Sequence, residues 1–338
     1  MEDIMVLPCT SRQLNLDVVL ANGQSFRWRQ IGDEFLGVAR HLAWKIWRRN
    51  AEEIAFKVVA DFRLNDSSHP RDVLTDYFQL KIDVEKLYEL WSKSDHHFRR
   101  QLEANSKNLQ GIRILKQDIP ETLFAFICSA NNNIARISGL VEKLCRFYGS
   151  KVHITTDKDM GKEKYQENII YDFPSFAQLQ EGLTTDMEAK LRDAGFGYRA
   201  KYITDAVRNL SELGGEVWLD ALREKPHAEA RAELMRLPGV GPKVADCICL
   251  MGLQKDSVVP VDTHVFQITV EQYSENVSAL KGRRTLTKTM HEEIGAFYAT
   301  RFGSYAGWAH SVLFSNRLRR FKVSTKALRN KHIEKKLP

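Results

Sequence analysis

The sequence predicts an α+β fold: an N-terminal antiparallel β-sheet domain followed by a mostly helical body. Three observations carry that expectation. Residues 1–105 contain short segments in which apolar and polar residues alternate between Gly and Asn breaks, the period of a half-buried strand. From Pro120 onward apolar residues recur three and four apart, as on a helix that buries one face. Between two such helical runs stands Leu237-Pro-Gly-Val-Gly-Pro-Lys243, a glycine hairpin.

In chain order, 25–29, 35–39 and 44–47 read as strands, and 83–91 is more helical. A helix opens at 120–127, and another covers 134–148 until Gly149 stops it. Residues 151–168 are charged and weakly patterned, which predicts a surface loop. Helices are expected again over 186–193, 200–213, 229–237, 244–251, 265–272, 285–298 and 305–318. Three segments result: a β-rich domain 1–105, a helical body 106–320 with the hairpin near 237–243, and a basic tail 321–338.

Composition bounds the function classes. The chain has 338 residues, 43% of them apolar, which is ample for real cores. The net charge of +7 is uneven, because residues 317–338 hold nine Lys/Arg against one acid. That end carries +8 and leaves the body near −1, so it reads as a basic arm for phosphate attraction or nuclear import, or as a solvated end. The five cysteines (9, 128, 145, 247 and 249) form no Cys-x-x-Cys pair and no zinc or iron–sulfur spacing, so no metal or other cofactor is expected. The acidic start lacks a secretory pattern and no run reaches membrane-spanning length. A soluble, monomeric intracellular protein is the expectation.

The hairpin has a physical use. Pro238 ends the preceding helix, while Gly239 and Gly241 permit positive φ and leave no Cβ in the way of a phosphate. Pro242 suits the first turn of the next helix, whose positive dipole end then faces the anion. A bare Gly-x-Gly also serves as a plain turn between helices. Here Lys243 stands at its mouth as a candidate nucleophile, and Asp262 follows nineteen residues later as a candidate partner. A phosphate-neutralising lysine and an Asp262 N-cap before Val265 are the simpler alternatives, although a capping carboxylate still presents its charge.

These residues resemble the helix-hairpin-helix, Gly/Pro-Asp superfamily of base-excision DNA glycosylases. Further blocks narrow the likeness: Asn22-Gly-Gln-Ser-Phe-Arg-Trp28, Phe126-Ile-Cys-Ser-Ala-Asn-Asn-Asn-Ile-Ala-Arg136, Gly195-Phe-Gly-Tyr-Arg-Ala-Lys-Tyr202, Val244-Ala-Asp-Cys-Ile-Cys-Leu-Met251 and Gly307-Trp-Ala-His-Ser-Val-Leu-Phe314. Over residues 7–320 they are similar to eukaryotic 8-oxoguanine DNA glycosylase/AP lyase. The resemblance implies a repair enzyme that flips and excises 8-oxoguanine opposite cytosine in duplex DNA, located in the nucleus or also the mitochondrion. Lys243 would attack C1′ and Asp262 would stabilise the cationic sugar. The Gly23 carbonyl would accept the N7 hydrogen that oxidation adds, with Cys247 and Phe314 on the two faces of the base.

His310 departs from the family, which usually has Gln there to read the Watson–Crick edge; a neutral imidazole offers one donor and one acceptor. Asn131 would fill the gap, Tyr198 would wedge the stack, and Arg136 and Arg199 would take the estranged cytosine. Gly239 and Gly241 would face a phosphate, and His264 would contact a phosphate or sit as a satisfied core histidine. Other readings are a glycosylase for another damaged purine and a non-catalytic DNA-binding module.

Overall fold

The computed structural model describes residues 4–153, 169–277, 280 and 285–318. Five strands, β1 (Met5–Pro8), β2 (Trp28–Ile31), β3 (Glu34–Ala39), β4 (Leu42–Arg48) and β5 (Glu53–Asp61), form one antiparallel sheet in the order β1-β5-β4-β3-β2. Helices α1 (Leu16–Val19) and α2 (Pro70–Tyr77) cover it and close a core around Leu14, Trp44, Phe56 and Phe78. Gly37 permits a close approach, since a Cβ there would lie 2.4 Å from the Trp28 ring. Trp28 is fixed in turn, its Nε1 donating to the Tyr77 hydroxyl at 3.0 Å.

Helices α3 (Val84–Ser94), α4 (His96–Ala104) and α5 (Ser106–Leu109) turn away from the sheet. Tyr88, Trp91 and Phe98 meet edge to face or tilted, and Phe98 reaches Phe302 with centroids 5.9 Å apart. Apolar packing therefore joins 84–109 to the helical core, so the expected boundary at 105 falls inside one packing unit.

The helical body is built around α6 (Ile119–Ser129), whose residues 122–128 are all buried. A helix apolar on every side must be wrapped by others. Here α7 (Ile134–Tyr148), α10 (Arg199–Leu213) and α13 (Pro242–Met251) do so. In chain order the helices after α7 are α8 (Phe176–Gly182), α9 (Met187–Leu191), α10, α11 (Gly215–Ala221), α12 (His227–Leu234), α13, α14 (Thr263–Tyr273), α15 (Lys288–Phe302) and α16 (306–318). Side-chain caps define many starts: Asn133 for α7, Ser175 with Gln178 for α8, Asp186 for α9, Asp262 for α14 and Thr287 for α15.

The expected loop 151–168 needs correction at its start. Residues Lys151–His153 form β6, paired antiparallel with β7 (Ile169–Tyr171). Residues 154–168 and the basic tail 321–338 lie outside the described residues. Among the described residues no helix is long and apolar enough to cross a membrane.

Candidate active site

The two hairpin glycines divide the work expected of both. Gly239 has φ +82°, and a Cβ there would sit 2.9 Å from Tyr202 Cβ and 3.2 Å from Ile127 Cγ2. It makes the turn and lets the hairpin pack on α10 and α6. Gly241 departs from expectation: its φ is −90° with ψ −179°, extended backbone that needs no glycine. Its use is space, because a Cβ at that point would meet nothing within 4 Å. Pro242 then opens α13, whose first-turn N–H groups lack helical acceptors.

As the second residue of α13, half-buried Lys243 reaches into a cleft, its Nζ 4.9 Å from the Phe126 ring centroid. Cys247 follows on the same face and is buried. Burial pushes its thiol up to about 11, opposed in part by the charge and hydrogen bond of Lys243, so it stands beside the amine as a neutral thiol. Asp262 caps α14, its Oδ1 accepting from the backbone N–H groups of His264 at 2.8 Å and Val265 at 3.0 Å. The same carboxylate lines the cleft, so capping and charge presentation occur together.

The cleft has a volume of about 70 Å³ and is lined by Gly23, Phe126, Lys243, Cys247, Asp262, His310 and Phe314, among others. All six residues expected at the reacting base thus meet in one place. Gly23 has φ +88°, and a Cβ would press on Ile134 Cδ1 at 3.2 Å. Sequence reasoning missed what holds this glycine. Gln24 bonds both ways across the β-sheet domain and body, donating to Arg113 O at 2.8 Å and accepting from Leu115 N at 2.9 Å. Gln117 donates to the Gln24 carbonyl at 2.9 Å. Gln24 stood within a recognised block, but a glutamine in a short motif carries no sign of its distant partners.

His310 is buried, and neither ring nitrogen has a hydrogen-bond partner. Burial lowers its pKa to about 4 against the pull of Asp262, so at neutral pH it offers one donor and one acceptor. Its ring lies 5.9 Å from Phe314 at a 39° tilt, and Phe314 meets His264 edge-on at 5.8 Å. Buried polar atoms are almost always paired, so two orphans on one ring in a cleft mark a group suited to bonding an incoming molecule. His264 itself is half-buried, tied by its backbone to Asp262 and by its ring to Phe314.

The remaining expected residues gather where α6 ends and α10 begins. Asn131 is exposed at φ +47°. Tyr198 is 46% exposed, its hydroxyl donating to Ala130 O at 3.0 Å. Arg136 is exposed and its Nη2 reaches Gly195 O at 3.4 Å. Arg199 is only 3% exposed and donates to the carbonyls of Ala130 and Asn131.

Two family models match the chain consecutively: the 8-oxoguanine DNA glycosylase N-terminal domain over residues 6–123, and the HhH-GPD superfamily of base excision DNA repair proteins over 124–290. An N-glycosylase/DNA lyase of Saccharomyces cerevisiae is 36% identical over 342 residues, spanning 92% of this chain and 85% of that protein. The chain belongs to the 8-oxoguanine DNA glycosylase family. An Arabidopsis thaliana relative, N-glycosylase/DNA lyase OGG1, is 35% identical over 91% of this chain and 78% of its own length. A solved Clostridium acetobutylicum 8-oxoguanine glycosylase/lyase, in complex with dsDNA containing cytosine opposite to 8-oxoG, aligns with a TM-score of 0.74 at 26% identity, covering 95% of this chain and 98% of that one. In this 8-oxoguanine DNA glycosylase the junction between the two family models falls inside α6, which one continuous core surrounds.

Proposed function

We propose that this protein excises 8-oxoguanine opposite cytosine from duplex DNA and then cuts the strand, as a bifunctional glycosylase and AP lyase. The single observation that carries this is the convergence of Lys243, Asp262 and the Gly23 turn on one cleft beside the glycine hairpin. The hairpin and the start of α13 hold a phosphate, and the damaged nucleotide is turned out of the stack at a cost of about a few kcal/mol. A cleft of about 70 Å³ is tight against the roughly 300 Å³ or more of ordinary ligand pockets, so its lining must open as the base enters.

As the C1′–N9 bond breaks, its electron pair leaves with the base and positive charge grows on the sugar, facing Asp262. The uncharged amine of Lys243 bonds to C1′ and gives up one proton, which neutralises the departing base; the C1′–O4′ bond then breaks, O4′ takes a proton from water, and the nitrogen is left as a protonated Schiff base. The iminium acidifies the C2′ hydrogen; its loss expels the 3′ phosphate by β-elimination. The Gly23 carbonyl attracts an N7–H and repels the N7 lone pair of undamaged guanine, a difference of about 1–3 kcal/mol in a dry site. Asn131 and Tyr198 fill and wedge the vacated stack, while Arg136 and Arg199 supply cations near the orphaned cytosine. Duplex DNA as partner and the basic tail support a nuclear location, with the mitochondrion second.

Borohydride trapping tests the reading. The wild-type chain should become covalently linked to an 8-oxoguanine duplex, and Lys243→Gln should not. Trapping that survives the substitution would move the nucleophile elsewhere. One observation favours a second base class: the orphaned nitrogens of His310 match a purine edge in general. Cleavage of formamidopyrimidine or hypoxanthine duplexes in preference to 8-oxoguanine would select it.

A further inference from the structure

A second pocket, of about 260 Å³, lies between α12, α13 and α15 and shares no lining residue with the cleft that holds Lys243. Buried Val258 and Val259 wall it, together with Gly295, Ala296 and Ala299 of α15. Gly295 keeps it open, since a Cβ there would meet nothing within 4 Å. Asp246, Arg231 and His291 form its polar end, with exposed His227 beside them. None of these four takes part in the excision chemistry.

The hydrogens of that polar end can be placed. Nη2 of Arg231 lies 3.2 Å from Nδ1 of His291, and a guanidinium only donates, so Nδ1 accepts and the ring proton sits on Nε2. Burial, against the pull of Asp246, holds this imidazole below its usual pKa, so the neutral tautomer is the form present at pH 7. His291 is only 7% exposed, yet its Nε2–H has no hydrogen-bond partner. Asp246 Oδ2 stands 3.6 Å away, beyond a good bond. His227 and Arg231 both approach the other oxygen, Oδ1. An unused donor and a carboxylate oxygen therefore stand side by side.

Charge narrows what would fit there. An anion would meet the Asp246 carboxylate, with exposed Glu292 beside it, and a cation would meet the Arg231 guanidinium. A neutral group with C=O and N–H on neighbouring atoms satisfies both partners, its carbonyl accepting from His291 and its N–H donating to Asp246. The volume falls just under the usual range of roughly 300–1,000 Å³, which suits one ring between aliphatic walls.

We infer that this pocket is a binding site for a small aromatic carboxamide, its amide seated between His291 Nε2 and Asp246 Oδ2 and its ring against Val258, Val259 and Ala299. The site is separate from the reaction proposed above and does not depend on it.

Three probes that share one ring test the charge argument: benzamide, benzoate and benzamidine. Each is titrated into the isotope-labelled full-length protein without DNA and followed by backbone amide NMR shifts. Benzamide should saturate with a dissociation constant of about 1 mM or below, moving the amides of Asp246, Val258, His291 and Gly295. Benzoate and benzamidine should bind at least about tenfold more weakly. His291→Phe keeps a ring but removes the donor, and should weaken benzamide about tenfold. Gly295→Leu puts a better helix former into open space, so it should melt no lower than wild type while losing benzamide binding by at least about tenfold.

Equal binding of the three probes, wild-type benzamide affinity in Gly295→Leu, or no saturable shift up to about 10 mM would overturn the site. If His291→Phe fails to fold, Gly295→Leu decides alone. Loss of excision in a protein that still binds benzamide would fault the functional reading and not this one.

Discussion

The two sides of α13 handle buried ionisable groups in opposite ways. Toward α12 and α15, the Asp246 carboxylate meets His227 at 2.8 Å, Arg231 at 3.3 Å and His291 at 3.6 Å, so the cationic groups there lie within ion-pair reach of one carboxylate, although Arg231 Nε and His291 Nε2 make no hydrogen bond. Toward the cleft, Lys243 and Cys247, three residues before Asp246 and one after it, face His310, whose nitrogens have no hydrogen-bond partner at all. Asp246 and His291 on one side are as buried as Cys247 and His310 on the other. Pairing differs: the Asp246 side ties three helices into one unit, while the cleft side carries polar groups whose partners are not in the protein. A helix anchored on one flank can hold an unsatisfied site on the other without shifting to relieve it.

The sharpest way to break this contrast is to exchange the lysine. Lys243→Gln should abolish strand cutting, by at least about 10³-fold, while urea unfolding stays near wild type. A large stability loss would mean that the lysine is structural. Asp246→Ala should do the reverse, costing about 3–5 kcal/mol by stranding Arg231, with excision per folded molecule nearly unchanged at low temperature. Asp262→Asn separates two duties held by one side chain. The amide oxygen still caps α14, so unfolding should change by no more than about 1 kcal/mol, whereas single-turnover excision should fall by about 10²-fold. Phe314→Ala should weaken lesion binding by about 1–3 kcal/mol, read as a higher dissociation constant.

The smallest effect is expected at His310. His310→Gln should be tolerated or should speed excision, and its clearest signature is in stability. The folded pKa, about 4, lies below the usual value of 6.5, so the unfolded chain takes up the proton first as pH falls. The contribution of neutral His310 is thus complete above about 6.5 and is lost progressively down to about 4. Urea midpoints measured across that window should fall less steeply in the glutamine variant. An identical slope would mean that His310 does not titrate as its burial implies.

The cleft was legible because its signals are local. A hairpin, a lysine one residue past it and an aspartate in a cap position each occupy a few adjacent residues, and quoted blocks placed Gly23, Cys247, His310 and Phe314. The Asp246 side was not legible, since its partners come from residues 19 before it and 45 after it with no shared pattern. Strand β5 escaped because Ile54–Phe56 and Val58–Ala60 are nearly continuous apolar runs in a strand paired on both edges, which hides the period of two. The burial of Arg199 also escaped: nothing in a helix-opening arginine says that two carbonyls 69 and 68 residues upstream will claim it.

The neighbour of the reactive lysine has one more bearing on how the protein endures. Peroxide attacks thiolates rather than thiols, and a sulfur pushed up to about 11 is ionised in only about one molecule in ten thousand at pH 7. Cys247 is therefore held beside the reactive amine in its thiol form, the form that peroxide attacks least.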